Sequence, residues 1–168
     1  MTTAKINNLA VTTAKLADYA VTKAKTEAFL GTVGVSFTNN HSNSGFTVVQ
    51  SGICLASGLG RPVMIMVTPA GTDANPSKLG VYGGAGGFAS ADFRIVRDGA
   101  TVVGVAEVSL IADSVDRENF IGSLTFVDVP PVTGTPTAHT YALYTRVIVG
   151  GGTGIVECAR MKLVVFEI

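Results

Sequence analysis

The sequence predicts an all-β protein, an antiparallel jelly roll or β-sandwich preceded by a repeated N-terminal segment. Three observations lead there. Nine short strand-like segments follow residue 34, each bounded by turn residues. No long helical pattern occurs among them. Several of these segments are apolar on both faces, a pattern that parallel sheets explain only with crossover helices, and the text has none.

Residues 1–32 form the first unit. Three decads can be cut from it, TTAKINNLAV, TTAKLADYAV and TKAKTEAFLG. Lys5, Lys15 and Lys25 hold the fourth position of each decad, and Leu9, Tyr19 and Phe29 hold the eighth. Ten residues fit neither a heptad nor an eleven-residue repeat, so a straight coiled coil does not keep this seam on one face. Ile6, Leu9, Leu16 and Ala20 would line one side of a short helix, although the Thr and Val content opposes that. A unit of this size cannot bury its own apolar residues and needs neighbours. Lys5, Ile6, Leu9, Lys15, Leu16, Tyr19, Lys25 and Phe29 are therefore the expected anchor residues.

Residues 33–168 form the second unit. Strands are expected at 34–38, 45–50, 62–69, 79–82, 91–97, 101–111, 123–129, 140–149 and 154–168. The clearest turn is Asp98-Gly99, since a type I′ hairpin needs positive φ at both central positions. NNHSNSG, PAGTDANPSKLG, GGAGG, PPVTGTPT and GGGTG mark loops. Within VMIMV every residue is apolar. In LVVFEI, Leu163 and Val165 point one way while Val164, Phe166 and Ile168 point the other; Leu143 and Val147 likewise oppose Tyr144 and Ile148. One face fits a sandwich core. The other needs a second subunit.

Composition agrees. Charged residues make up 14% of the chain, against about 25% in average soluble proteins, and the mean hydropathy is +0.44. Twelve basic and twelve acidic residues cancel, which disfavours nucleic acid as a partner and a polybasic membrane tether. No apolar run has the roughly 18 residues of a membrane-spanning helix, and the N-terminus has no signal-peptide pattern.

Chemistry-bearing motifs are weak. His41 and His139 belong to no zinc-binding spacing, and no nucleophile elbow occurs. Cys54 and Cys158 read as buried free thiols, although a cysteine–histidine dyad is open on spacing. Gly84, Gly86 and Ala89 fit GxGxxA formally, but strand-like text follows where a dinucleotide site needs a helix. Asp113, Asp116 and Glu118 lie in a segment read as a solvated loop, without EF-hand spacing. The chain is expected to be no enzyme and to carry no cofactor or metal.

TTAKINNLAVTTAKLADYAVT resembles the AVTTAKLADGAVT repeats of bacteriophage fibre and virion-surface proteins. GRPVMIMV, FRIVRDGATVVG, SLTFVDVPP, HTYALYTRV and ARMKLVVFEI resemble, in that order, the jelly roll of tumour-necrosis-factor-like shape that often ends such fibres. The resemblance implies a homotrimeric, non-enzymatic virion protein made in the bacterial cytoplasm and displayed on the phage particle. It would attach to a capsid or tail protein through its repeats. Tyr144, Ile148, Val164, Phe166 and Ile168 are its expected trimer interface. Three decads and no long shaft favour a head fibre, spike or capsid decoration protein. A short tail fibre binding a host receptor or glycan is the alternative, and a trimeric ligand-binding module of tumour-necrosis-factor-like shape is the alternative of another class.

Overall fold

The computed structural model describes residues 34–112 and 115–168. The anchor residues Lys5 to Phe29, and Asp113, lie outside them.

Among the described residues there are eleven strands and no helix. They are β1 (Val35–Phe37), β2 (Thr47–Ala56), β3 (Val63–Pro69), β4 (Lys78–Gly83), β5 (Gly87–Arg97), β6 (Thr101–Ala112), β7 (Arg117–Phe120), β8 (Leu124–Asp128), β9 (Thr137–Val149), β10 (Gly154–Ala159) and β11 (Met161–Glu167). One layer is the sheet β2-β9-β5-β6. The other is the sheet β1-β11-β3-β8, continued by β10-β4-β7 in the same strand order. All pairings between strands are antiparallel. The chain crosses between layers at six of its ten connections; β3–β4, β7–β8 and β10–β11 run on within the second layer, and the β5–β6 hairpin turns back within the first. This is a jelly-roll β-sandwich.

The second layer is broken at one point. Arg160 separates β10 from β11 at a φ of 53°, a left-handed conformation that a non-glycine residue adopts only when its surroundings hold it. Opposite it, Ala70–Ser77 leaves the ladder between β3 and β4. That excursion and the adjoining chain supply the holding contacts. The Arg160 carbonyl accepts from Ala70 N and from Ser77 Oγ, its backbone N–H donates to Thr38 Oγ1, and its Nε donates to the Pro76 carbonyl.

The core forms from the inward face of every main strand. Ile65, Val67, Leu79, Val81, Phe93, Ile95, Tyr141, Leu143, Met161, Leu163 and Val165 are all essentially buried. Each aliphatic or aromatic side chain so buried contributes about 1.5–3 kcal/mol.

The sequence-based boundaries need four corrections. β2 runs on to Ala56, because the pattern continues through Gly52, Cys54 and Ala56, residues too small to signal burial. β5 begins at Gly87, pulled into the ladder by pairing with β6. The segment expected at 154–168 is two strands. β7 falls where a solvated loop was expected; all four of its residues are exposed, and what makes it a strand is the ladder to β4. The Asp98-Gly99 turn is as expected, with φ of 52° and 71°.

Candidate functional site

The outward face of β11 and β3 is the most distinctive surface. Burial alternates along both strands, with Val63, Ile65, Val67, Met161, Leu163 and Val165 inside. The intervening residues point out and line up by register. Phe166 sits beside Met64, which sits beside Val127; Val164 sits beside Met66, which sits beside Thr125. Ile168 and Val129 flank this block and are 53% and 60% exposed. The first charged residue is Lys162, one row beyond Val164, across from Thr68 and Ser36. Two rows of mainly apolar, half-buried side chains, with Thr125 the one polar member, therefore lie on a sheet face that no strand among the described residues covers.

The expected interface residues do not share this surface. Val164, Phe166 and Ile168 belong to it. Tyr144 and Ile148 lie on β9, on the outward face of the other layer. Ile148 is 40% exposed, and Ser90, its cross-strand partner, lies two residues from Phe88, which pairs with the exposed Ile111. These residues form a second, smaller apolar patch at one end of that face; the charged row Arg146, Asp92 and Glu107 separates it from Val105, which pairs with Arg94.

Tyr144 is in different company. Its register partners are Val48 and Arg94. The Arg94 guanidinium lies 3.8 Å from the Phe46 ring centre and 5.2 Å from that of Tyr144. Arg146 lies 4.5 Å from the same Phe46 ring and is bound to Asp92, Nε and Nη2 both 2.7 Å from Oδ2. Asp92 is buried.

A polar network closes the opposite end of the core. Arg97 Nη1 donates to Asp128 Oδ2 at 2.6 Å, and the Tyr141 hydroxyl donates to the same oxygen at 2.8 Å, tying β5 and β9 to β8. Burial and the bond to Asp128 together push the Tyr141 hydroxyl far above its ordinary range. His139 Nδ1 donates to Asp98 Oδ2 at 2.7 Å, and Thr140 N donates to Oδ1. Burial works to raise the Asp98 pKa, but those two bonds and the charges of His139 and Arg97 outweigh it and hold the carboxyl below its ordinary value.

Cys54 is the cross-strand partner of His139, so the fold brings a thiol, an imidazole and a carboxylate to neighbouring positions. The chemistry is unfavourable for a nucleophile. Cys54 is fully buried, and burial together with the Glu167 charge pushes its thiol up to about 11, whereas a reactive cysteine needs a stabilised thiolate. Cys158 is pushed up to about 12, chiefly by burial. Both are free thiols.

His41 is more than a loop residue. Its backbone bridges Val156. Asn43 N donates to its Nδ1, leaving Nε2 to donate to the buried Thr145 hydroxyl at 2.6 Å. Burial lowers its pKa. Asp116 fastens the glycine loop, accepting from Tyr82 OH and Ala85 N, and Glu118 pairs with Lys78 at 3.2 Å. Among the described residues no cluster of three or more His, Cys, Asp or Glu side chains suits a metal ion. The strand β5, and no helix, follows Gly84 and Gly86, so the dinucleotide reading has no structural support.

Neither a known protein family nor a curated protein matches this chain. Among solved structures it is similar to the family 11 carbohydrate-binding module of the cellulosomal cellulase Lic26A-Cel5E of Clostridium thermocellum, at 10% identity and a TM-score of 0.19, over 79% of this chain and 89% of that one. A likeness of that degree bears on no functional reading.

Proposed function

We propose that this chain is a non-enzymatic structural protein of a bacteriophage virion, a trimeric head fibre, spike or capsid decoration protein. Its N-terminal repeats attach it to the particle, and its jelly roll is displayed outward. The observation that carries the multimeric part is the half-buried face of Phe166, Met64, Val127, Val164 and Met66, which no strand among the described residues covers and which is apolar on a sheet whose other face is already core. Obligate interfaces resemble a domain core cut in half.

The two apolar surfaces favour a ring. A twofold dimer buries one patch against itself, whereas a heterologous contact joins two different patches and closes by rotation. The β11–β3 face of one protomer against the patch of Phe88, Ile111 and Ile148 on the next is such a pair. The phage assignment rests on the decad repeats and on the ordered motifs of the jelly roll.

Immuno-electron microscopy of purified phage particles tests the location, with label expected on the virion surface. Labelling confined to the host cytoplasm contradicts it. Deleting residues 1–31 should leave the jelly roll folded and oligomeric while abolishing particle attachment. A truncated chain that still decorates particles removes the repeats from the attachment role.

A further inference from the structure

Arg94 lies on the same outward face as the Phe88, Ile111 and Ile148 patch but is separated from it by the charged row Arg146, Asp92 and Glu107, and its geometry invites a ligand. Arg146 has its counter-ion in Asp92. Arg94 makes no ion pair among the described residues, and its Nε is buried without a hydrogen-bond partner. A buried donor left unpaired costs about 1–3 kcal/mol, so this position is unfavourable until something accepts from it. The guanidinium lies over the rings of Phe46 and Tyr144, and because Nε is buried an oxyanion reaches that edge only when the Phe46 ring moves aside. An arginine fork held in this way matches a planar oxyanion by two parallel hydrogen bonds. Phe46 comes from the β1–β2 connection, a loop that can shift its ring while the sheet keeps Arg94 and Tyr144 fixed. Glu107 opposes Asp92 on β6 and is exposed. It repels a free anion but accepts from hydroxyl groups.

We infer that Arg94, Phe46 and Tyr144 form a binding site for an acidic saccharide, a sugar ring carrying a carboxylate or a phosphate. Arg94 takes the oxyanion, the aromatic rings pack on the apolar face of the sugar, and Glu107 accepts from its hydroxyls. The requirement for both a ring with hydroxyls and an anion follows from Glu107, which turns a bare anion away.

The full-length protein is titrated with glucuronate, glucose 6-phosphate, glucose and inorganic phosphate, following the arginine Nε–Hε signals by NMR. The Arg94 signal should move with glucuronate, with glucose 6-phosphate or with both, which identifies the carried anion. Glucose and inorganic phosphate should bind at least tenfold more weakly. Arg94→Gln should abolish the response, Arg94→Lys should retain a weakened one, and Phe46→Ala should weaken it about tenfold. Each variant is checked for the wild-type sedimentation coefficient, so that loss of binding is distinguished from loss of assembly. No response to either acidic sugar, or inorganic phosphate binding as tightly as they do, overturns the site. An unchanged response in correctly assembled Arg94→Gln does the same.

Discussion

At the scale of single residues, polar groups placed in an apolar interior tie the layers together. Asp128 and Arg97 are both nearly nine-tenths buried and meet at 2.6 Å, and Tyr141 completes the set. Removing Asp128 leaves Arg97 only its longer contact to Asp98, at 3.9 Å, so Asp128→Ala should destabilise the fold by about 3 kcal/mol, measured by urea unfolding. Tyr141→Phe keeps the ring and loses one bond to a charged oxygen, and should cost about 1.5–3 kcal/mol. His41 gives a pH signature. Its folded pKa lies below its ordinary 6.5 because burial disfavours the charged form, so the unfolded chain binds the extra proton more readily. Its contribution to stability is therefore complete above pH 6.5 and is lost as pH falls through the folded pKa. His41→Gln should flatten the stability curve in that window, and a slope unchanged in the variant would assign the effect to other groups. The two thiols should resist a thiol reagent in the native protein and react once it is unfolded.

At the scale of elements, edges and turns decide where strands begin and end. Gly80 faces Phe120 and Asn119 of β7 so closely that a Cβ there would lie 2.0 Å from the Asn119 carbonyl oxygen. Gly80→Ala should therefore detach β7, read as loss of amide-exchange protection at Asn119 and Ile121 while the core strands stay protected. This also shows what the sequence revealed and what it hid. The inward and outward sides of β3, β9 and β11 were legible because period-two apolar text places Leu163 and Val165 on one face and Val164 and Phe166 on the other. β7 was hidden because RENF carries no apolar pattern; its strand character comes from long-range pairing. The split at Arg160 was hidden for a similar reason, since the contacts that hold it come from Thr38, Ala70, Pro76 and Ser77, all distant in sequence. The Arg94 cluster left only RIVR as a trace, because Phe46 and Tyr144 reach it from other strands and loops. The pairing of His139 with Asp98 was equally invisible, since it depends on how β9 runs beside β5.

At the scale of the whole molecule, a chain with few charges carries an apolar sheet face that nothing among the described residues covers, and that surface is the reason for proposing an assembly. Phe166→Asp places a charge at the centre of the face while leaving Val165 and Leu163 in the core, so it should yield folded monomer or aggregate instead of the native oligomer. Ile148→Asp tests the opposite partner surface and should have the same effect if the ring joins two different patches. Either variant sedimenting as wild type would remove its patch from the interface. The most direct measurement is sedimentation equilibrium of the full-length protein at micromolar concentration. The account predicts a single species of three times the 17.2 kDa chain mass; a stable, non-aggregating species of one chain mass would contradict it.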